Sequence, residues 1–219
     1  MRPGRSAVAL WTVLVLAGCL GDLRQPYPEK ARYTLEVQRA PERVAQSAPL
    51  SAATLRVQQV DVAPLFERRG FVYRTGDARY ESDFYNELYA PPGVVLHQEL
   101  VEWLRESDLF GQVVGGSTMQ AADWLLDVRI EELYADLREN DAPMAVLSLS
   151  VSLREARAAG DAEPALRERY VLREPARAAA EPLVDAWSAS MAEAFRRIES
   201  RLRRFLAERA PNRAVGQVR

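Results

Sequence analysis

Chemistry in this chain has few places to start. His97 is the sole histidine and Cys19 the sole cysteine. A hydrolytic triad needs a base beside its nucleophile, and a zinc site takes about four N, S or O ligands. His97 has no second histidine or cysteine near it and reads as a structural or surface residue. Asp77, Glu81, Asp83 and Glu87 supply carboxylates, but acid–base work needs one of them buried with a raised pKa. All four fall in a polar, turn-rich stretch. Gly115-Gly116 is a turn signal, not a phosphate-cradling loop. These residues predict no catalytic site, no metal and no cofactor. The cysteine is different, because of what precedes it. Arg2 and Arg5 lead into an apolar run from Ala7 to Leu16, followed by small residues, the order of a secretory signal.

That signal ends as Leu16-Ala17-Gly18-Cys19, which resembles a bacterial lipobox. In such a motif the cysteine thiol receives a diacylglycerol and becomes the first residue of the mature chain. Cys19 is therefore the expected lipid-attachment site, with Leu16, Ala17 and Gly18 as the recognition residues. The apolar run is too short to span a bilayer, which needs about 20 residues. In lipoproteins of this kind an aspartate directly after the cysteine favours the inner membrane. Leu20 holds that place here, which points to the periplasmic face of the outer membrane of a Gram-negative cell.

The chain has 219 residues, enough for one domain with a substantial core once the signal and a tether are set aside. Its net charge of −2 gives no basic field for nucleic acid. With no thiol left after lipidation, apolar burial must hold the fold. The expected organisation is a signal at 1–18, a lipidated tether at 19–32, one domain at 33–210 and a frayed tail at 211–219.

Within the domain, alternation predicts strands at Tyr33–Val37, Leu55–Val62, Phe71–Arg74, Arg79–Glu87, Phe110–Val114, Trp124–Tyr134, Ala145–Leu153 and Glu168–Leu172. Pro91-Pro92-Gly93 opens a helix with Leu96, Leu100, Trp103 and Leu104 on one stripe. A longer helix follows Pro182, its stripe running Leu183, Trp187, Met191, Phe195, Ile198, Leu202 and Phe205. Two amphipathic helices and many strands predict an α+β fold, a two-layer sandwich of a mainly antiparallel sheet with both helices on it. The hairpin is dense in aromatics (Phe71, Tyr73, Tyr80, Phe84, Tyr85 and Tyr89), with Arg68, Arg69 and Arg74 alongside. Cross-strand packing accounts for such a group, and so does a partner-contact surface, where Tyr and Arg are enriched.

In order and spacing these segments resemble the auxiliary lipoproteins of ABC-type lipid transport systems, the PqiC-like lipoproteins that accompany MCE-domain transporters. The resemblance is carried by the lipobox and tether, Tyr33-Thr34-Leu35, and Leu55-Arg56-Val57 leading to Val62-Ala63-Pro64-Leu65-Phe66. Phe71-Val72-Tyr73-Arg74, Trp103-Leu104 with Leu109-Phe110, the Ala122–Leu133 strand and the terminal helix complete it. Many relatives have a tryptophan before the internal helix, where this chain has Tyr89-Ala90-Pro91-Pro92. The resemblance implies a non-catalytic outer-membrane subunit that docks a periplasmic MCE protein of an ABC lipid transporter and supports membrane integrity. The hairpin's aromatics and arginines make Arg68, Arg69, Phe71, Tyr73, Arg74, Tyr80, Phe84 and Tyr85 the expected contact residues, and, because MCE proteins form rings, the resemblance also implies a homo-oligomeric ring. A lipid-binding carrier, or an assembly lipoprotein of another envelope machine such as lipopolysaccharide export, is the alternative.

Overall fold

The structure, a computed structural model, describes residues 29–39, 48–116, 120–139, 142–158 and 162–209. Leu16, Ala17, Gly18 and Cys19 lie outside these residues, as does the 211–219 tail. The folded unit begins at Ala31.

Among the described residues, nine strands and two helices follow in chain order. They are β1 (Ala31–Tyr33), β2 (Ser51–Val57), β3 (Asp61–Val62), β4 (Gly70–Arg74), β5 (Tyr80–Leu88), α1 (Pro92–Arg105), β6 (Phe110–Gly115), β7 (Trp124–Asp136), β8 (Met144–Glu155), β9 (Leu166–Pro175) and α2 (Ala180–Arg209). The strands form one sheet organised on β7. Along one edge β7 pairs antiparallel with β8 from Trp124↔Glu155 to Asp136↔Met144, and β8 pairs antiparallel with β9. Its other edge is shared by three shorter strands, all parallel to it: β2 at Trp124–Leu126, β3 at Arg129–Ile130 and β4 at Ala135–Asp136. β6 extends the sheet beyond β2, while β5 and then β1 extend it beyond β4. The architecture is the expected α+β sandwich, its long ladders antiparallel and its short joins parallel.

Both helices bury their predicted stripes. Leu96, Leu100 and Leu104 of α1, and Leu183, Met191, Phe195, Ile198 and Leu202 of α2, are all but inaccessible. α2 packs across β8 and β9, α1 across β6, β2 and β3, and the helices touch one another. Trp103 joins the two helices, meeting Phe195 edge-on at 5.7 Å, and Trp124 joins the sheet to α2, meeting Phe205 at 5.3 Å. Where α1 leaves α2, Glu199 accepts hydrogen bonds from Trp103 Nε1 at 2.9 Å and from Arg39 at 2.7 Å. The Arg39 guanidinium lies 4.4 Å over the Trp103 ring, so one carboxylate satisfies both a buried indole and a partly buried cation.

Three expectations of the sequence change here. The strand expected at Tyr33–Val37 is shorter and earlier, at Ala31–Tyr33; Ala31 and Arg32 are already paired strand. Beyond Tyr33 the chain leaves the sheet and lies against α2, where Leu35 is buried and the Glu36 N–H donates to Ser188 Oγ. The strand expected at Leu55–Val62 is two strands. From Val57 to Asp61 the chain advances four residues while its partner advances three, Leu126 to Arg129, so the ladder breaks at the extra residue. The terminal helix opens at Ala180, two residues before Pro182, which still falls in the first turn where proline costs no hydrogen bond.

A bulge at Glu131 resets the alternation of β7. Ile130 opposes Leu149 and faces the helices; one residue later the parity flips, so that Leu133 and Ala135 take that face and Tyr134 turns to the other. There Tyr134 stacks on Phe66 at 6.0 Å and meets Tyr80 edge-on at 5.6 Å. The strand is thereby buried on both faces at this end, with Phe66 and the hairpin's Tyr80 against its far face.

Candidate functional site

The β4–β5 hairpin was expected to hold a contact surface, and the structure divides its residues in two. Phe71 is buried, edge-on to Trp187 at 5.1 Å and tilted on Tyr33 at 5.4 Å. Tyr80 packs edge-on against both Phe66 and Tyr134. Arg74 spans the turn, donating to the carbonyls of Gly76 and Asp77 with its guanidinium 5.7 Å over the Tyr80 ring. The Tyr73 hydroxyl donates to Asp83 at 2.7 Å. Burial first, and then the neighbouring Asp83 carboxylate, push its pKa above the usual tyrosine value, so it remains a donor. Phe71, Tyr73, Arg74 and Tyr80 therefore hold the hairpin together. Arg68, Arg69, Phe84 and Tyr85 are exposed.

Phe84 and Tyr85 are exposed because of a large irregularity in β5. Gly70 pairs with Glu87 and Val72 with Ser82, so two steps on β4 face five on β5. The intervening residues, Asp83 to Asn86, are extruded as a bulge. A Cβ on Gly70 would stand 2.8 Å from the Asp83 carbonyl oxygen, so the bulge closes only over a residue without one. Asp83 holds it from within. One carboxylate oxygen accepts the Tyr85 N–H at 2.7 Å and the Asn86 N–H at 3.0 Å; the other accepts the Asn86 amide at 2.8 Å and the Tyr73 hydroxyl. Phe84 and Tyr85 stand out from this turn, 53% and 47% exposed, with their rings edge-to-face at 5.2 Å. Tyr89, 71% exposed, follows where β5 ends. Ser82-Asp83-x-x-Asn86 inside a strand-like run is the signal for this bulge, since Asp and Asn bond their own backbone in turns.

Partial burial raises the Asp83 pKa, but the hydrogen bonds from Asn86, Tyr73 and Tyr85 outweigh it and leave the carboxyl below its ordinary value. A depressed folded pKa contributes stability above the unfolded carboxylate pKa of about 3.9, lost as pH falls through the lower folded value. We expect Asp83→Ala to cost about 1–2 kcal/mol at neutral pH, the range for hydrogen bonds to a charged group that is part-exposed. Urea unfolding at pH 7 and at pH 3 should show the gap between variant and parent closing in acid. Amide exchange at Tyr85 and Asn86 should quicken; unchanged exchange would mean the bulge is held by something else.

Beside the bulge, the Glu87 carboxylate is buried, with Arg32 at 3.0 Å and Arg69 at 3.8 Å. Asp77 and Glu81 are exposed and each pairs with an arginine, Arg138 and Arg79 respectively. The four carboxylates are thus not gathered into a site. His97 lies on an open groove of about 720 Å³ beside the start of α1, lined by Val60, Val62, Pro64, Pro91 and Val94 among others. Its Nε2 is 3.3 Å from both the Gly116 nitrogen and the Val57 carbonyl oxygen. Accepting from the one excludes donating to the other, so one tautomer ties α1 to the end of β2 and the other ties it to the end of β6. Among the described residues no group of three or more His, Cys, Asp or Glu could hold a metal, and no helix is long and apolar enough to cross a membrane.

The sequence from Tyr33 in β1 to Glu199 in α2 matches the family model of the ABC-type transport auxiliary lipoprotein component, residues 33–199. The chain belongs to this family. No curated protein matches it. Among solved structures, protein XCC0632 from Xanthomonas campestris, assigned to DUF330, superposes with a TM-score of 0.70 at 13% identity, over 83% of this chain and 99% of that one. A second, uncharacterized protein gives 0.61 at 18% identity, over 80% and 99%. At these identities the likeness is one of fold. As an auxiliary lipoprotein of this family, the chain keeps α1, β7–β9 and α2 as far as Glu199 inside the matched span. The bulge at Asp83–Asn86 lies inside it as well.

Proposed function

We propose that this auxiliary lipoprotein is a non-catalytic subunit of an MCE/ABC-type intermembrane lipid transport system. It is held by a diacylglycerol on Cys19 at the periplasmic face of the outer membrane, and there it docks the periplasmic MCE component. The observation that carries the reading is the family match across nearly the whole folded body, joined to the Leu16-Ala17-Gly18-Cys19 motif. The hairpin supports it in reduced form. Phe71, Tyr73 and Tyr80 are spent on internal packing, which removes them from any lipid-lining role and weighs against the carrier alternative. Of the expected contact residues, Arg68, Arg69, Phe84 and Tyr85 remain exposed. A homo-oligomeric ring matched to a ring of MCE subunits belongs to the same proposal, and neither a cofactor nor nucleic acid enters it.

Crosslinking the lipidated protein in its own membranes, then purifying it for mass spectrometry, tests this directly. Crosslinked peptides from an MCE-domain protein are the expected result. Recovery of a lipopolysaccharide-export channel in place of an MCE protein would overturn the docking role and establish the assembly alternative.

A further inference from the structure

The geometry points to the Asp83–Asn86 bulge as a membrane-contacting tip, with Tyr85 and Phe84 seated in the headgroup region of a phospholipid bilayer. The inference deepens the anchor reading of Cys19 and rests on it. Its basis is where the folded body begins. β1 runs parallel to β5 with Ala31 opposite Asn86, Arg32 opposite Glu87 and Tyr33 opposite Leu88. The chain that leads from Cys19 therefore joins the body one residue along from Tyr85. Twelve residue steps separate Cys19 from Ala31. They reach about 40 Å if fully extended, and roughly 17–21 Å on average if flexible. The anchor thus keeps this end of the domain within a few nanometres of the bilayer, with the bulge on the element where the tether attaches.

The chemistry of the tip suits that surface. Tyrosine combines an apolar ring with a polar hydroxyl and is favoured at the membrane–water interface. Tyr85 and Tyr89 are exposed there, with Phe84 edge-on to Tyr85. Arg32 and Arg69, half-exposed on either side of Glu87, border the patch and match lipid phosphates. Asp83 fixes the bulge before any contact, so little ordering entropy is lost on docking.

The test uses the full chain, processed by the cell, purified with its anchor and reconstituted into vesicles of phosphatidylethanolamine and phosphatidylglycerol with brominated acyl chains. Tyr85→Trp places a reporter on the tip; Trp103, Trp124 and Trp187 are buried and give the parent baseline. Arg79→Trp is the control, at the opposite end of the hairpin beside the Arg74↔Tyr80 pair. We expect blue-shifted, bromine-quenched emission from Tyr85→Trp and none beyond baseline from Arg79→Trp. Mass spectrometry of the mature N-terminus reads the anchor separately. A diacylglycerol on Cys19 with no quenching at Tyr85→Trp overturns the membrane tip and leaves the anchor intact. A blue shift without quenching assigns the tip to a protein neighbour and overturns it too. An unmodified Cys19 overturns the anchor and this inference with it.

Discussion

Trp187→Ala should destabilise the domain by about 3–5 kcal/mol, the range for removing a large buried aromatic and leaving its cavity. Three dependencies meet at this side chain. It is 2% exposed on the inner face of α2. The edge of Phe71 in β4 packs on it at 5.1 Å. Its indole N–H donates to the Tyr134 carbonyl at 3.3 Å, in the stretch of β7 that falls between its pairing with β3 at Ile130 and with β4 at Ala135. The indole thus occupies a hydrogen-bonding position that no strand fills there, and its removal opens a cavity and strands a buried carbonyl. Trp187→Phe keeps most of the ring and loses the N–H, and should cost about 1–2 kcal/mol. Urea unfolding should show both midpoints falling with unchanged slopes, in that order. A loss below about 1 kcal/mol for Trp187→Ala would mean that α2 repacks freely and that the hairpin does not depend on it. Because Phe71 anchors β4 on this tryptophan, the variant should also loosen the hairpin that carries the exposed bulge.

That dependence was partly legible in the sequence. The stripe from Leu183 to Phe205 identified α2 and its buried face, because helical periodicity survives wherever one side of a helix meets a core. The long strands of β7 and β8 were legible for the same reason, through alternation. What the sequence did not carry is the edge of β7. Parallel pairing of β2, β3 and β4 joins residues far apart in the chain, and nothing local at Leu55 or Tyr73 states which part of Trp124–Asp136 each will meet. Likewise, Tyr33–Val37 alternates well enough for a strand, but only Ala31–Tyr33 finds an open edge, on β5; Leu35 is worth more buried under α2. The bulge at Glu131 defeats alternation, since unbroken parity from Ile130 would turn Leu133 and Ala135 away from the helices they face. In the hairpin the aromatic density was plain and its partition was not. Phe71, Tyr80 and Phe84 are alike in type, and a single Asp-to-backbone turn decides that the third stands out while the other two pack in.

Cys19→Ala is expected to abolish residence in the outer membrane, and the magnitudes explain why the exposed aromatics do not compensate. Each methylene buried in a bilayer contributes about 0.8 kcal/mol, and a single myristoyl chain gives an association constant of only about 10⁴ M⁻¹. Two chains on one thioether carry the anchor well past that marginal range. Two part-exposed aromatic side chains contribute less than the roughly 1.5–3 kcal/mol of a fully buried one each. The tip can orient a domain already held at the surface but cannot hold it there alone. The variant chain should therefore lack the diacylglycerol mass and leave the outer-membrane fraction, either released or retained as uncleaved precursor. Cells carrying it should also show the same envelope sensitivity as cells lacking the transport system. The folded body should be untouched, so the same variant should unfold in urea at the parent midpoint. An unlipidated chain that still fractionates with the outer membrane and supports normal envelope integrity would sink the anchor and the docking role together. A chain that leaves the membrane without any envelope phenotype would separate them, keeping the anchor and removing the transport role.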